Sequence, residues 1–185
     1  MNEWFTTRQG LWEKAWERLS LASHARGSER FITLATIGLT GGPETRLVVL
    51  RGTDKSTGTL VVHTDSTSTK TREIAANPAA AIHYWAPQLD LQIRLRGQIT
   101  VTTGETLRDT WNTLPQASFA TYGVTPRPGT KIPAADAYDL TPKFEQFAQL
   151  TFTLTQADIV HLSQDFHRRA QYDRADNWTG HWLAP

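Results

Sequence analysis

The chain reads TRLVVLRGTDKSTGTLVVHTDSTSTKTREIAANP over residues 45–78. Two runs rich in aliphatic and β-branched residues, 45–51 and 59–64, flank the turn-forming segment GTDKSTG, which predicts two strands joined by a turn. A row of Ser and Thr then opens a short helix, with Ser68 as its N-cap and Asn77-Pro78 as its stop. Strand, strand and short helix form the centre of the predicted fold.

Further strands are predicted on both sides of this stretch. Upstream, FITLATI at 31–37 forms a hairpin with 45–51 across the turn at 40–43. Downstream, strands are predicted at 80–85 and 90–101, and the second alternates apolar and polar residues as a half-buried antiparallel strand does. Several short strands with few helices favour a mainly β barrel or sandwich with helical additions, and periodicity alone leaves both open.

Helices are predicted at three further places. From Leu11 to Ala22 apolar residues recur at steps of three and four, so Trp12 and Trp16 belong to the buried stripe of an amphipathic helix. Thr102 with Glu105 suits a capping box that opens a helix through about residue 112. A third helix is predicted over 141–150, before the β-rich run LTFTLT at 150–155. The four prolines between Gly123 and Pro142 predict a long loop, which in a compact domain is more often functional than idle.

Length and composition limit the classes of protein. At 185 residues the chain fits one domain, 1–185, with a sizeable core. It is 39% hydrophobic and 20% charged with a net charge of +1, which predicts neither a disordered tail nor a nucleic-acid-binding domain. No apolar run suits a membrane span and the start MNEWFTTRQG is unlike a signal peptide, so a cytoplasmic protein without membrane partners is expected. The absence of cysteine excludes disulfides, iron–sulfur clusters and thiol nucleophiles.

Basic residues around the central stretch indicate an anion as the partner. Arg46 and Arg51 are an odd number of residues apart, so on one flat strand they face opposite sides unless a bulge intervenes. The row Ser66 to Lys70 offers hydroxyls, free backbone N–H groups and an ammonium at a helix start, which together suit a phosphate. A capped surface helix with a solvated lysine is the alternative interpretation.

The order of these short motifs resembles that of the pyridoxamine 5'-phosphate oxidase family over residues 31–101. The matching pieces are Arg46-Leu47-Val48-Val49-Leu50-Arg51, His63-Thr64, Ser68-Thr69-Lys70, Asn77-Pro78, Trp85, Leu89 to Gln92, and Gly97. Near the end of the chain, His167-Arg168-Arg169 and Trp182-Leu183-Ala184-Pro185 also look like the family pattern. The similarity is weakest from about 103 to 160.

The resemblance implies a mainly β, FMN-binding split β-barrel with flanking helices, and a homodimer that holds the cofactor between its subunits. Arg46 and Lys70 would hold the phosphate of FMN, Thr64 and backbone groups of 48–50 would line the cofactor, and Gln92 and Arg169 would reach it as well. The full cofactor-binding set implied is Arg46, Leu47, Val48, Val49, Leu50, Arg51, His63, Thr64, Ser68, Thr69, Lys70, Gln92 and Arg169. Ser118 and His167 are the implied substrate contacts, and His167 as a structural hydrogen-bonding residue is the alternative.

Several positions depart from the family pattern. Thr69 stands where a second basic residue is usual, and Thr110 and Leu114 stand where a Tyr and an Arg grip the phosphate of the vitamin substrate. Asp165 replaces an arginine expected at the substrate, and the family's tryptophan near the flavin is not found around Ile159. We therefore predict an FMN-dependent oxidoreductase that acts on a small molecule other than pyridoxamine phosphate, with no assigned catalytic residue.

Two alternatives stay open on the sequence. A flavin carrier or sensor without turnover is favoured by the lost substrate residues. A split barrel that holds haem or a deazaflavin is the other, and haem would need an axial histidine. The six histidines show no spacing such as HExxH, so no metal site is predicted.

Overall fold

A computed structural model describes residues 3–185 of the chain. The strands in chain order are β1 Phe31–Ile37, β2 Pro43–Asp54, β3 Thr59–Asp65, β4 Ala79–Ala86, β5 Leu91–Thr103, β6 Val124–Thr125, β7 Asp139–Leu140, β8 Phe147–Leu162, β9 His167–Asp173 and β10 His181–Leu183. The helices are α1 Arg8–His24, α2 Thr69–Ala76, α3 Arg108–Asn112 and α4 Gln116–Phe119.

Within the described residues, six antiparallel strands close a barrel in the order β8-β3-β2-β1-β4-β5, because β5 pairs with β8 as well as with β4. β8 is long enough to pair with a different strand along each of its two halves. Its first half, 147–153, pairs with β3, and its second half, 156–162, pairs with β9, while β5 runs along both halves. The predicted mainly β fold with flanking helices is confirmed, as a barrel.

The core fills the barrel and extends under α1. Alternate residues of each strand point inward, among them Leu50, Leu60 and Ile93, all fully buried. Trp12 and Trp16 on α1 are buried against the barrel, as the periodicity predicts, and Trp178 stacks on Trp12 with ring centroids 5.1 Å apart. Burial of each large apolar side chain contributes roughly 1.5–3 kcal/mol to stability, so the apolar stripe is the main interaction that holds α1 against the barrel.

The helix predicted through about residue 112 is confirmed at its C-terminal end, where α3 ends at Asn112, but its start is wrong, and a second predicted helix is wrong. The supposed capping box at Thr102 is strand, because β5 stays paired with β8 up to Thr103, opposite Ala148. A 3-10 turn at Glu105–Leu107 follows, and α3 begins only at Arg108. The helix predicted over 141–150 is a single 3-10 turn, Phe144–Gln146, since β8 already begins at Phe147, opposite Asp65 of β3. In both places, pairing with a distant strand outweighs a local helical signal.

The long loop is largely irregular, as expected. The two-residue strands β6 and β7 pair with each other and close its neck. The tip is a turn from Arg127 to Thr130, in which the Thr130 N–H donates to the Arg127 carbonyl at 3.2 Å and Gly129 has a φ of +87°. Among residues 3–185 no helix is both long and apolar enough to cross a membrane.

Candidate functional site

A bulge in β2 separates the two arginines of the central motif. Leu50 pairs with Val62 and Gly52 with Val61, so Arg51 is the extra residue of the bulge. Arg51 lines a cavity on the outer wall of the barrel, whereas Arg46 lies on the inner side of β2 and does not line it. The bulge that the alternation argument allows for is present, and of the two arginines only Arg51 lines the cavity.

The cavity has a volume of about 320 Å³ and lies between β2, β3, the start of α2 and the segment that follows α4. Its lining residues are Leu47, Val48, Val49, Arg51, His63, Thr64, Asp65, Ser68, Lys70, Thr121, Tyr122 and Pro128. Eight of the predicted cofactor contacts are among them. Of the rest, Leu50 is fully buried in the barrel core, and Arg46, Thr69, Gln92 and Arg169 lie outside the lining.

Lys70 brings a partly desolvated cation into the cavity. It lies in the first turn of α2, where backbone N–H groups have no partner within the helix. Its Nζ donates to Thr64 Oγ1 at 2.9 Å. Burial and the nearby Arg46 lower the pKa of Lys70, while Asp65 and Glu73 raise it. A bound anion would stabilise the charged form of Lys70 and so offset the unfavourable burial of its charge in the cavity wall.

Ser68 supplies a polar group that lacks a partner. It is the N-cap of α2, as predicted, but its side chain makes no capping hydrogen bond. The residue is only 3% exposed, and within residues 3–185 its Oγ has no hydrogen-bond partner. A buried hydroxyl without a partner costs about 1–3 kcal/mol. The cavity therefore contains an unused hydroxyl beside a cation at a helix start.

His63 lies in the cavity wall as a neutral base. Burial and the positive charge of Arg51 lower its pKa from 6.5 to about 4, although Gln149 opposes this. Its ring packs edge to face on Phe147, with centroids 5.0 Å apart. At neutral pH this imidazole adds hydrogen-bonding capacity without adding charge.

Arg46 is engaged by a buried carboxylate. Its Nη2 donates to Glu73 Oε2 at 2.8 Å, and its other terminal nitrogen donates to Thr36 Oγ1. Thr36 in turn donates to the same Glu73 oxygen at 2.6 Å. Sequence reasoning did not identify Glu73, because spacing along the chain does not show which partner a guanidinium chooses. The cation of Arg46 is thus largely matched inside the protein.

Thr69 faces the loop tip. Its hydroxyl accepts from Arg72 Nη2 at 3.3 Å. A Cβ added to Gly129 would come within 3.0 Å of Thr69 Oγ1, so the loop packs directly over the start of α2. This contact explains how Pro128 reaches the cavity wall.

Gln92 and Arg169 form a second group on the outer face. Gln92 of β5 pairs with Val160 of β8, which pairs with Arg169 of β9, so all three lie in one row across the sheet. Arg169 binds Asp158, which also binds Arg94. Neither Asp158 nor Arg94 was predicted.

The two predicted substrate contacts lie outside the cavity lining. Ser118 is on α4, and its carbonyl accepts from the N–H of Thr121, which does line the cavity, at 3.2 Å. His167 is exposed at the start of β9, opposite Leu162.

Among residues 3–185, one group of side chains could hold a metal ion: Asp173, Asp176 and His181, whose ligand atoms lie within 4.8 Å of one another. The Asp173 carboxylate already accepts from the amides of Gln156 and Gln171, at 2.8 and 3.0 Å. Nothing else there indicates an ion.

A closed antiparallel barrel with an anion-suited cavity on its outer wall defines the class of this protein, a split barrel. Solved structures share the fold across nearly the whole chain. A pyridoxamine 5'-phosphate oxidase-related, FMN binding protein from Nostoc punctiforme has a TM-score of 0.75 and 25% identity, covering 94% of this chain and 97% of that one. PhzG from Burkholderia lata, solved with tetrahydrophenazine-1-carboxylic acid, has a TM-score of 0.72 and 19% identity, covering 94% and 91%.

The sequence places the chain more narrowly. Residues 9–103 match the family described as pyridoxamine 5'-phosphate oxidase, FMN-binding domain, and the chain belongs to this family. The pyridoxine/pyridoxamine 5'-phosphate oxidase of Thermosynechococcus vestitus is 43% identical over 68 residues, which is 37% of this chain and 31% of that protein. The match thus spans about a third of the length of the curated relatives.

Proposed function

We propose that this chain binds FMN and works as an FMN-dependent oxidoreductase on a small molecule other than pyridoxamine phosphate. One observation carries the proposal: the buried hydroxyl of Ser68, which has no hydrogen-bond partner among residues 3–185, lies beside Lys70 at the start of α2, in the wall of a cavity. The relative from Nostoc punctiforme is described as FMN-binding, which supports the same ligand here.

The cavity residues fit the phosphate end of FMN. Lys70 and Arg51 supply positive charge, and Ser68 and Thr64 supply hydroxyls. A phosphate rewards charge-assisted donors at roughly twice the strength of neutral ones. The free N–H groups of the first turn of α2 add to this attraction. Asp65 adds little repulsion, because its oxygens already accept hydrogen bonds from Thr67 and from the Gly123 N–H.

The reaction chemistry would come from the cofactor, since FMN carries the electrons when it is bound. The residues of this chain would hold and orient it. Val48 and Val49 would offer strand backbone along the cavity wall. Neutral His63 would contact it without altering its charge. Tyr122 and Pro128 would keep water away from one side.

A second copy of the chain would complete the site. Within one chain, the cavity lies at β2, whereas Gln92 and Arg169 lie on β5 and β9 of the same outer face. From β2 to β9, and likewise from β2 to β5, is three strand spacings, roughly 14 Å along the sheet. In a two-fold dimer packed face to face, the β9 side of one copy would approach the β2 side of the other. Leu47 lines the cavity and is 68% exposed, which fits a face that a partner covers.

The substrate would differ from that of the vitamin oxidases. Thr110 and Leu114 carry no positive charge that could bind a phosphate ester, and the negative charge of Asp165 would repel one. We therefore propose an oxidisable or reducible small molecule without a phosphate at these positions.

The test is titration of the purified protein with FMN, followed by flavin fluorescence and absorbance. Saturable quenching is expected, with much weaker quenching by riboflavin, which has the same ring but no phosphate. Equal affinity for the two would place the phosphate site elsewhere. A protein that binds neither, or that shows a haem Soret band as purified, would refute the proposal. With pyridoxamine or pyridoxine phosphate as substrate, little or no turnover is expected.

A flavin carrier without turnover is the second candidate. It is favoured by Thr110, Leu114 and Asp165, which stand where the family has residues that bind the vitamin substrate. Reduction of bound FMN by NADH or NADPH, followed by reoxidation with candidate acceptors, separates the two. An enzyme would show catalytic cycles, whereas a carrier would show one stoichiometric reduction at most.

A further inference from the structure

Asp158 on β8 is held between two arginines from the neighbouring strands. Arg169 of β9 binds it with a fork: Nη2 donates to Oδ2 at 2.7 Å and Nε donates to Oδ1 at 3.1 Å. Arg94 of β5, which pairs with Asp158 in the sheet, also donates to Oδ2. One carboxylate therefore anchors two guanidinium groups.

The three residues differ in exposure. The Asp158 side chain is 13% exposed and that of Arg94 is 45% exposed. Burial raises the pKa of Asp158, but hydrogen bonds from Arg169 and Arg94 outweigh it and hold the pKa below its usual value. The carboxylate is thus ionised at neutral pH. Two cations share one anion, so the group has a net charge of +1.

A forked contact fixes the plane of a guanidinium, because both N–H directions are set at once. A lone arginine on a strand would sample many rotamers. Asp158 thereby determines where Arg169 points, and Arg94 determines how much of the Asp158 charge is left to neutralise Arg169.

We propose that Asp158 is a positioning residue for the cofactor: it orients Arg169 towards FMN, and Arg94 tunes the net charge there by sharing the same carboxylate. This inference rests on the proposed function. It concerns residues that act through Arg169 rather than residues that touch the cofactor.

The proposal predicts effects of opposite sign. Two-electron reduction makes the flavin ring more negative, so positive charge nearby favours reduced over oxidised FMN. Replacing Asp158 by Asn removes a negative charge but keeps an oxygen that can accept from Arg169, so it should raise the preference for reduced FMN about tenfold. Replacing Arg94 by Gln removes a positive charge and should lower it by a similar factor. For a two-electron couple, tenfold corresponds to about 30 mV in the potential of bound FMN.

The experiment measures the reduction potential of FMN bound to the full-length protein, with the Kd of oxidised FMN measured in parallel. Arg96→Gln is the matched control, since Arg96 lies two residues along the same strand but donates to Gln156, at 3.3 Å, rather than to Asp158. Its change should be well below that of Arg94→Gln. The expected result is a higher potential for Asp158→Asn and a lower one for Arg94→Gln.

Shifts of the same sign in both variants, or shifts below twofold in both, would overturn the inference while wild type still binds FMN. If Asp158→Asn fails to fold, the Arg94→Gln variant decides alone, because the Arg94 side chain is much more exposed than that of Asp158. A wild-type protein that binds no FMN overturns the proposed function itself, and shows this before any variant is made.

Discussion

Lys70 is the residue on which the proposed phosphate site depends most. Lys70→Ala should weaken FMN binding by about 1.5–3 kcal/mol, the usual range for a hydrogen bond to a charged group, or roughly 10- to 150-fold in Kd. The measurement is fluorescence quenching at fixed ionic strength. Arg72→Ala is the control, since it removes an exposed cation from the same helix outside the cavity lining. Equal affinity in wild type and Lys70→Ala would show that the phosphate binds elsewhere.

Ser68 allows stability to be separated from binding. Substitution of a capping serine by Ala usually costs about 1 kcal/mol of stability. Because the Ser68 side chain makes no capping bond, Ser68→Ala should leave the free energy of unfolding almost unchanged. It should weaken FMN binding by about 0.5–1.5 kcal/mol, as for one hydrogen bond. Urea unfolding and FMN titration of the same variant check both halves; a loss of stability without a loss of affinity would contradict the assignment.

His63 makes stability depend on pH. Its pKa falls from 6.5 to about 4 on folding, so the unfolded chain binds more protons between these values. Stability is therefore unaffected above pH 6.5 and falls as the pH drops towards 4, by at most about 1.4 kcal/mol per pH unit. His63→Gln should lose less stability than wild type between pH 7 and pH 5, as measured by urea unfolding. Parallel losses in the two proteins would argue against a buried neutral His63.

At the level of elements, local signals were sufficient wherever the partner strand is near in sequence. β1 has the bounds predicted for it, and α2 follows Ser68 and ends before Asn77. Turns and helix caps are determined by residues that are close together in the sequence, so both could be predicted. The start of β8 and the end of β5 were mistaken for helix. Both segments are strands because they pair with each other, as Thr103 does with Ala148. These residues are 45 positions apart, so a short stretch of sequence does not contain both partners.

The site was recoverable from sequence only in part. Residues that share a strand end or a helix start, such as Thr64, Ser68 and Lys70, were predicted together and do line one cavity. The carboxylates that engage the arginines, Glu73 and Asp158, were not found. Each meets its arginine through the packing of separate elements, and sequence spacing contains no information about that contact.

A glycine marks the point where β5 crosses close to β8. Gly97 pairs with Leu154, beside a register shift, and a Cβ there would lie 2.1 Å from the Thr153 carbonyl oxygen. Gly97→Ala should destabilise the protein by about 3 kcal/mol, at the upper end for overpacking. Gly42→Ala is the control, because no atom lies within 4 Å of its added Cβ. Chemical denaturation measures both; similar stabilities would mean that the strands separate at little cost.

For the whole molecule, the proposed dimer predicts that two copies meet at the outer face of the barrel. Leu47→Glu puts a charge on that face, so it should convert a dimer of 20.8 kDa chains into monomers and weaken FMN binding. Leu21→Glu is the control, since Leu21 is also exposed but lies on α1. Sedimentation or light scattering gives the masses. A monomeric wild type that binds FMN would refute the shared site.

β8 has a consequence for how the chain reaches its native state. It borders β3 and β5 in the barrel, yet it follows them in the chain by up to 94 positions, as for Thr59 opposite Thr153. During synthesis, β3 and β5 leave the ribosome with unpaired edges that stay open until residues 147–162 appear. Nascent chains stalled before residue 147 should be prone to aggregation, whereas chains stalled well beyond residue 162 should resist proteolysis, because the barrel closes late and in one step.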